Sequence, residues 1–392
     1  MTHSNKLPTY CIHGGELPDA HGSPQTPLYR STTFRFGSTA ELLDVIEGRK
    51  PGSFYTRYGS NPTIRSVEEK LAGLEGAEAA LAFGSGMAAI SSLCLALGRK
   101  GILCIGEAYG GTLELLGMQL PLLGIPTHFL PAEEIDRMET LLDNGVQLVL
   151  FETPANPTLA LLDIGAIADR AHAHGALVAV DNTFATPVNQ QPLSLGADVV
   201  MHSATKYLGG HSDLTAGALM SQQAILDTVS PWRKNLGQII APDTAAMLAR
   251  SLRTLVVRVH QHNANAQAVA EAMAAHPSIA RVLYPGLKDF PAQALARRQM
   301  QGYGGMLTLE LRGSGADATR VADRLKLFAL APSLGGTESL VSQPCATSHH
   351  DMQAAERQQR GISDSMLRLS VGLEDADDLI ADLNQALAAA DD

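Results

Sequence analysis

The sequence predicts an α/β fold in which a mostly parallel sheet wrapped by helices forms a large domain and a smaller α/β domain follows it. The 392 residues exceed the length over which a single hydrophobic core keeps growing. Up to about residue 250, short apolar runs alternate with longer stretches of helical spacing, the pattern of strand and crossover helix. Beyond that point the alternation gives way to an Ala-rich helix and two isolated strand candidates. The expected division is an N-terminal arm over 1–50, a large domain over 51–250 and a C-terminal domain over 251–392.

Residues 1–50 are rich in Gly, Pro, Ser and Thr and weakly periodic, which reads as an extended arm that packs on a partner. In the large domain the strand candidates are Ala79–Phe83, Gly101–Ile105, Gln147–Phe151, Ala176–Val180 and Asp198–Met201. Between them, Ile64–Leu74 and Asp163–His174 place apolar residues at helical spacing and polar residues on the remaining face. Further on, Asn263–Ala275 reads as a long helix by its alanine content. Met306–Leu311 and Met366–Val371 read as strands of a small mixed sheet with helices on one face. Each of the first five runs ends in polar or Gly-rich sequence. Open α/β sheets bind ligands beyond the carboxyl ends of their strands, so the chemistry is expected there.

Composition narrows the function. Hydrophobic residues make up 45% and charged residues 18%, a globular balance. A net charge of −11 without a basic block speaks against nucleic acid or an anionic membrane surface and for small polar substrates. No apolar run is long enough to cross a bilayer, and Met1–Lys6 lacks the apolar stretch of a signal peptide, so a cytoplasmic location is expected. Cys11, Cys94, Cys104 and Cys345 lie far apart with no C-x-x-C pair, which fits reduced thiols. His349-His350-Asp351 and His172-x-His174 lack a third ligand at metal spacing and read as solvent-exposed, so no metal is expected.

Three strand ends carry the chemical signal. Directly after Asp198–Met201 comes Ser203-Ala-Thr-Lys206-Tyr-Leu-Gly-Gly-His211. A lone lysine in a loop is ordinarily a surface lysine. Here the alternative is that the Ser203 and Thr205 hydroxyls hold a phosphate while a desolvated Lys206 amine, its pKa lowered, forms an imine. Asp181 closes the run Ala176–Val180, and a buried carboxylate is costly unless paired. A protonated pyridine nitrogen would pair with it; taken alone, Asp181 would more often be a cap or turn residue. The third end, Phe83-Gly-Ser-Gly86-Met87, runs into a helical pattern whose first N–H groups would face an anion, although a G-S-G turn by itself is also plain turn chemistry.

Read together, these blocks resemble the Cys/Met-metabolism enzymes that use pyridoxal 5'-phosphate (PLP), the group of cystathionine γ-synthase, cystathionine γ-lyase and methionine γ-lyase. The resemblance spans nearly the whole chain through Tyr55-Thr-Arg57-Tyr-Gly-Ser-Asn61-Pro-Thr63, Gly84-Ser-Gly-Met87, Tyr109-Gly-Gly-Thr112, Glu152-Thr-Pro-Ala-Asn156-Pro-Thr158, Asp181-Asn-Thr183, Ser203-Ala-Thr-Lys206, Ser333-Leu-Gly-Gly-Thr-Glu338-Ser339 and Arg368-Leu-Ser-Val-Gly-Leu373. It implies a fold type I PLP-dependent transferase-like architecture, with 51–250 as the PLP-binding domain.

By this resemblance Lys206 is the Schiff-base lysine, Asp181 pairs with the ring nitrogen, Asn156 contacts the ring hydroxyl, and Thr183 is a further cofactor-binding residue. Gly86, Met87, Ser203 and Thr205 would bind the phosphate. Tyr55 and Arg57 would reach the phosphate of a neighbouring subunit's cofactor, which implies a homo-oligomer, an active dimer pairing into a tetramer. Tyr109 would stack on the ring and act as an acid at the leaving group. Arg368 would clamp the substrate carboxylate, Ser333 would orient Lys206 or the substrate, and Glu338 would bind a distal ammonium. The implied activity is γ-elimination or γ-replacement on a sulfur amino acid or activated homoserine. The alternatives are a methionine γ-lyase, an O-acylhomoserine sulfhydrylase or, in a different class, a catalytically idle PLP-binding protein. Two positions depart from the branches: Glu114 stands where the cystathionine-handling branch carries arginine, and Gly111 where the methionine γ-lyase branch carries cysteine.

Overall fold

The computed structural model describes residues 6–347, 350 and 352–388. Its first sheet has seven strands: β1 Ala79–Phe83, β2 Ile102–Ile105, β3 Thr127–Leu130, β4 Leu148–Glu152, β5 Leu177–Asp181, β6 Val199–His202 and β7 Gly217–Ser221. They lie in the order β1-β7-β6-β5-β4-β2-β3, and β7 alone runs antiparallel to its neighbours β1 and β6. The mostly parallel sheet expected from the sequence is therefore present, and each of the five predicted strands lies within one residue of its observed ends.

The strands read as unbroken apolar runs because both faces of the sheet are covered. Leu81, Phe83, Cys104, Leu150 and Met201 pack toward the helices Gly86–Leu97 and Gln223–Leu236. Alternate residues such as Leu103, Val149, Phe151 and Val180 pack toward the helix Ile164–Ala173, and Ala82 and Val200 toward Pro62–Glu75 and Pro242–Leu252. Full burial of each large aliphatic side chain is worth about 1.5–3 kcal/mol, so the sheet is a rigid platform for whatever its strand ends carry. Two strands escape the sequence pattern. β3 is an edge strand with half-exposed Thr127 and His128 and with Phe129 46% exposed, so it lacks an apolar run. β7, Gly-Ala-Leu-Met-Ser, has no β-branched residue and is held by pairing on both sides.

The second sheet contains β8 Ile279–Leu283, β9 Met306–Leu311, β10 Ala329–Leu330, β11 Leu340–Ser342 and β12 Met366–Ser370 in the order β10-β11-β12-β9-β8. It is mixed, with one parallel pair, β10 with β11. Leu307, Leu309, Leu367 and Leu369 point to a core shared with the helices Leu255–Ala274, Gly315–Arg324 and Ala376–Ala388. The opposite face sends Met306 and Met366 against Leu159 and Tyr207 of the first unit. Residue alternation along β12 thereby turns Arg368 toward the first sheet.

The long helix begins at Leu255, eight residues before its expected start at Asn263. Its buried stripe includes Arg258, His262 and Asn265, polar residues that hide the apolar period. Val259 belongs to the core beside β1, and Val269 and Met273 belong to the core of the second sheet, so one rigid rod joins both. Within the first fifty residues, the helix Leu7–His13 buries Cys11 against Pro62–Glu75, and Thr39–Ile46 is capped by Ser38; the residues between them hold no helix or named strand. All four cysteines are free, and burial pushes the Cys94 thiol up to about 12, which makes it inert. No helix among the described residues is long and apolar enough to cross a membrane.

Candidate active site

A cavity of about 630 Å³ opens beyond the carboxyl ends of β1, β4, β5 and β6, roofed by the segment before β11 and by β12. The sheet brings Glu152 and Asp181, the last residues of β4 and β5, side by side as cross-strand partners at its floor.

Lys206 lies four residues beyond β6 in a turn closed by hydrogen bonds from Lys206 N to Ser203 O (3.1 Å) and from Gly210 N to Lys206 O (2.7 Å). Its side-chain Nζ donates to Ser333 Oγ at 2.8 Å. Burial, reinforced by the nearby Arg368 charge, lowers the Lys206 pKa to about 8, so an appreciable share of the amine is neutral near physiological pH. That is the state a nucleophilic amine needs.

Asp181 is buried, and Oδ1 accepts from the Thr183 N–H at 3.0 Å and from the Thr183 hydroxyl at 2.5 Å. Thr183 Oγ1 in turn accepts from Ser203 N at 2.8 Å, tying the Asp181 strand end to the Lys206 turn. Burial raises the Asp181 pKa, the Thr183 bonds opposing it, and no ion pair to it exists among the described residues. At the other end of the cavity Arg368 is buried, with no carboxylate paired to it among the described residues. Nη1 donates to Asn156 Oδ1 at 3.0 Å and Nη2 to Ser333 O at 3.1 Å, while Nε has no partner. Burial lowers its pKa to about 10. The cavity thus holds two carboxylates, Glu152 and Asp181, and two basic side chains, Lys206 and Arg368, with no ion pair between them among the described residues.

Gly86 and Met87 open the helix Gly86–Leu97, whose N-cap Ser85 accepts from Ala88 N at 3.1 Å. Their own N–H groups belong to the first turn and have no intrahelical acceptor. A Cβ on Gly86 would come within 2.9 Å of Ser203 Cβ, so glycine is what lets this helix start approach the Lys206 turn. Thr205 Oγ1 is engaged with the Ala216 backbone, donating to its carbonyl at 3.2 Å and accepting from its N–H at 3.0 Å. Tyr109, 51% exposed, lines the mouth, and its backbone N–H donates to Glu152 Oε1 at 2.5 Å. A Cβ on Gly111 would lie 2.7 Å from Tyr109 Cε1, so the glycine leaves that ring room.

Of the expected residues, the structure brings Lys206, Tyr109, Gly86, Met87, Asn156, Asp181, Thr183, Ser203, Thr205, Arg368 and Ser333 to this one cavity. It does not bring Tyr55, Arg57 or Glu338 there. Arg57 is exposed, donates from Nη1 to Lys234 O at 2.9 Å and lies over the Tyr58 ring at 4.7 Å, with Tyr55 beside it. The Glu338 carboxylate accepts from the Ser212 hydroxyl and from Thr337 Oγ1 at 3.1 Å. Glu114 accepts from Gln119 Nε2 at 3.0 Å on the surface. His211 sits just past the Lys206 turn, 2.7 Å from Gly209 O. His172 and His174 pair separately with Asp198 and Asp143, at 2.8 and 2.9 Å. His349 and Asp351 lie outside the described residues.

Residues that sequence reading passes over also line the cavity, among them Glu152, Phe184, Thr215 and Thr347. For Glu152 a signal exists, because it closes the apolar run of β4 as Asp181 closes that of β5. Phe184 and Thr347 come from irregular segments, where no period marks a position.

The donor set fits pyridoxal phosphate. Asp181 lacks the cation its burial calls for, the Gly86 and Met87 amides with Ser203 form an anion cradle, and a partly neutral lysine faces the same space.

The family model of the "Cys/Met metabolism PLP-dependent enzyme" matches residues 8–388. The chain is 42% identical to an L-methionine gamma-lyase of Pseudomonas putida over 99% of this chain and all of that protein. It is 41% identical to a cystathionine gamma-synthase of Mycobacterium leprae over 97% and 96% of the two chains, and 39% identical to a cystathionine gamma-lyase of Dictyostelium discoideum over 99% of each. The crystal structure of metB from Corynebacterium glutamicum superposes with a TM-score of 0.93 at 36% identity, covering 99% of this chain and all of that one.

Proposed function

Because the chain belongs to the Cys/Met metabolism PLP-dependent enzymes, we propose that it catalyses γ-elimination or γ-replacement on a sulfur amino acid or an activated homoserine, with Lys206 as the lysine that carries the cofactor. The observation that carries this reading is the charge layout of the cavity: ionisable Asp181 at the floor, a lysine lowered to about 8, and buried Arg368 with an unpartnered Nε.

In this reading Asp181, oriented by Thr183, holds the ring nitrogen. Asn156 would hold the ring hydroxyl, and Gly86, Met87 and Ser203 would hold the phosphate, with Thr205 joining them once its hydroxyl turns from the Ala216 carbonyl. When bound, the cofactor supplies an electron sink that acidifies bonds at the substrate's α-carbon. The remaining work falls to the protein. Arg368, anchored by Asn156 and Ser333, binds the substrate carboxylate and orients the α-carbon. Lys206 Nζ, steered by Ser333 Oγ, moves protons at the α- and β-carbons. The Tyr109 phenol, at the mouth, donates a proton to the departing γ-sulfur or oxygen. Water capture gives a 2-oxo acid and ammonia, and thiol capture gives the replacement product.

Tyr55 and Arg57 enter this reading from a neighbouring subunit, which makes the working unit at least a dimer and by family likeness a tetramer of two such pairs. Their place outside the chain's own cavity, with Arg57 on the surface, supports this. Glu338 lies outside the cavity lining, held by Ser212 and Thr337, which favours a substrate without a distal ammonium over cystathionine. The test is a substrate panel of methionine, homocysteine, cystathionine and O-acylated homoserine with sulfide or cysteine, scored for 2-oxobutyrate and for thioether product. The same panel is run with Lys206→Ala. A yellow protein that borohydride bleaches, with turnover lost in Lys206→Ala, is the expected outcome; turnover retained by that variant refutes the assignment.

A further inference from the structure

We infer that Glu152 is held as a neutral carboxylic acid and is the positioning residue for Tyr109. The inference rests on the reading of Tyr109 and Asp181 given above and extends it to a residue that reading leaves without a task.

Glu152 and Asp181 end adjacent parallel strands in register, so their carboxyls enter the same cavity from neighbouring positions. Both residues are buried, and two like charges side by side without a cation between them cannot both stay ionised, so one of the two keeps a proton. The surroundings decide which. Asp181 accepts two hydrogen bonds from Thr183 through one oxygen and lies within the field of His202, which ends the next strand, β6. Both favour its charged form.

Glu152 faces Asp181 on β5 and, on the side of β2, Cys104 and the carboxylate of Glu107. The guanidinium on that side, Arg360, is bonded to Glu107 at 3.0 and 3.2 Å. Lys206 and Arg368 line the same cavity but neither forms an ion pair with Glu152 among the described contacts. Burial first and Asp181 second push the Glu152 pKa well up, with the Tyr109 and Asn156 amides opposing.

The geometry gives the neutral acid its purpose. Oε1 accepts the Tyr109 backbone N–H at 2.5 Å, at the N-cap of the short helix Gly110–Glu114, where no side chain caps the turn. Glu152 is therefore the anchor between a rigid strand end and the residue whose ring guards the cavity mouth. An un-ionised anchor holds that amide without competing with Asp181 for the ring cation. It also adds no negative charge that would return Lys206 to full protonation.

The experiment uses the full chain as purified and again after saturation with PLP. Infrared spectra at neutral pH are expected to show the carbonyl band of a buried carboxylic acid, and Glu152→Gln is expected to remove it. A band that persists in Glu152→Gln places the proton elsewhere and overturns the inference. In turnover, Glu152→Ala is expected to lower kcat about tenfold or more with KM changing less than about threefold, the pattern of a lost transition-state alignment. Glu152→Gln, which keeps shape and neutrality, is expected to recover most of that loss. Glu152→Gln as impaired as Glu152→Ala would mean that charge is required, and Glu152→Ala as active as the parent would mean that Tyr109 needs no anchor; each overturns it. If the protein fails to take up PLP at all, the reading of the cavity fails, while the infrared band still reports on Glu152 by itself.

Discussion

Lys206 Nζ and Ser333 Oγ meet at 2.8 Å across 127 residues of sequence, joining the turn after β6 to the segment that precedes β11. Ser333 reaches this position with φ of 93°, a left-handed conformation unusual for a residue with a side chain. Its carbonyl accepts from Arg368 at 3.1 Å, so one strained residue touches both cations of the cavity.

Replacing Ser333 separates strain from function. Ser333→Gly is expected to stabilise the cofactor-free protein by about 1 kcal/mol through relief of the positive φ, read as a rise in the denaturation midpoint. The same change is expected to lower kcat by roughly tenfold through loss of the Lys206 hydrogen bond. A variant less stable than the parent would show that the hydroxyl outweighs the strain.

Lys206 gives a pH signature. Its folded pKa of about 8 lies below the ordinary 10.5, so the protonated side chain is carried at a cost that is fully present below about pH 8. The cost fades as pH rises from about 8 to 10.5, where the unfolded chain also releases its proton. Lys206→Met is therefore expected to stabilise the cofactor-free protein at pH 7 by up to about 3 kcal/mol, an upper bound set by the pKa difference. Chemical denaturation along a pH series should show this advantage shrinking above pH 8. An advantage that does not change with pH would place the amine in solvent.

Asp181 shows the opposite trade. As a buried carboxylate without an ion pair it costs stability in the cofactor-free state, and Asp181→Asn keeps an acceptor for both Thr183 donors. The variant is expected to gain about 1–3 kcal/mol without cofactor. It is also expected to bind PLP at least about tenfold more weakly, because a charge-assisted bond is lost. Both quantities follow from calorimetry with and without PLP, and tighter binding by the variant would remove Asp181 from the site.

A shared site can be tested by mixing. Arg57→Ala and Lys206→Ala are each expected to be inactive or nearly so. Refolded together in equal amounts they should recover about a quarter of parental activity, since half of random dimers are hybrids with one intact site. No recovery would confine Arg57 to its own chain.

The strand ends are legible in the sequence because they are local. An apolar run of five residues predicts a buried parallel strand, and a carboxylate or lysine just past it predicts chemistry at the sheet edge, which is how Asp181, Lys206 and Gly84–Gly86 stand out. Glu152 closes its run in the same way, but nothing in the local pattern tells which strand lies next to which, so its pairing with Asp181 stays hidden. The helix start at Leu255 is masked by Arg258 and His262. Arg258 donates to the Tyr207 carbonyl at 2.7 Å and His262 Nδ1 pairs with Val371 O at 2.7 Å, so tertiary partners alone make those residues fit a core.

The amino-acid order by itself determined the α/β alternation, the membership of a PLP family and the residue types waiting at each strand end, since period and turn chemistry act over a few neighbours. The tertiary structure alone decided that Glu152 stands beside Asp181, that Ser333 and Arg368 close over Lys206, and that Arg57 points away from its own cavity. Those relations join residues far apart in the chain, and strand register with core packing sets them, neither of which any short stretch of sequence contains.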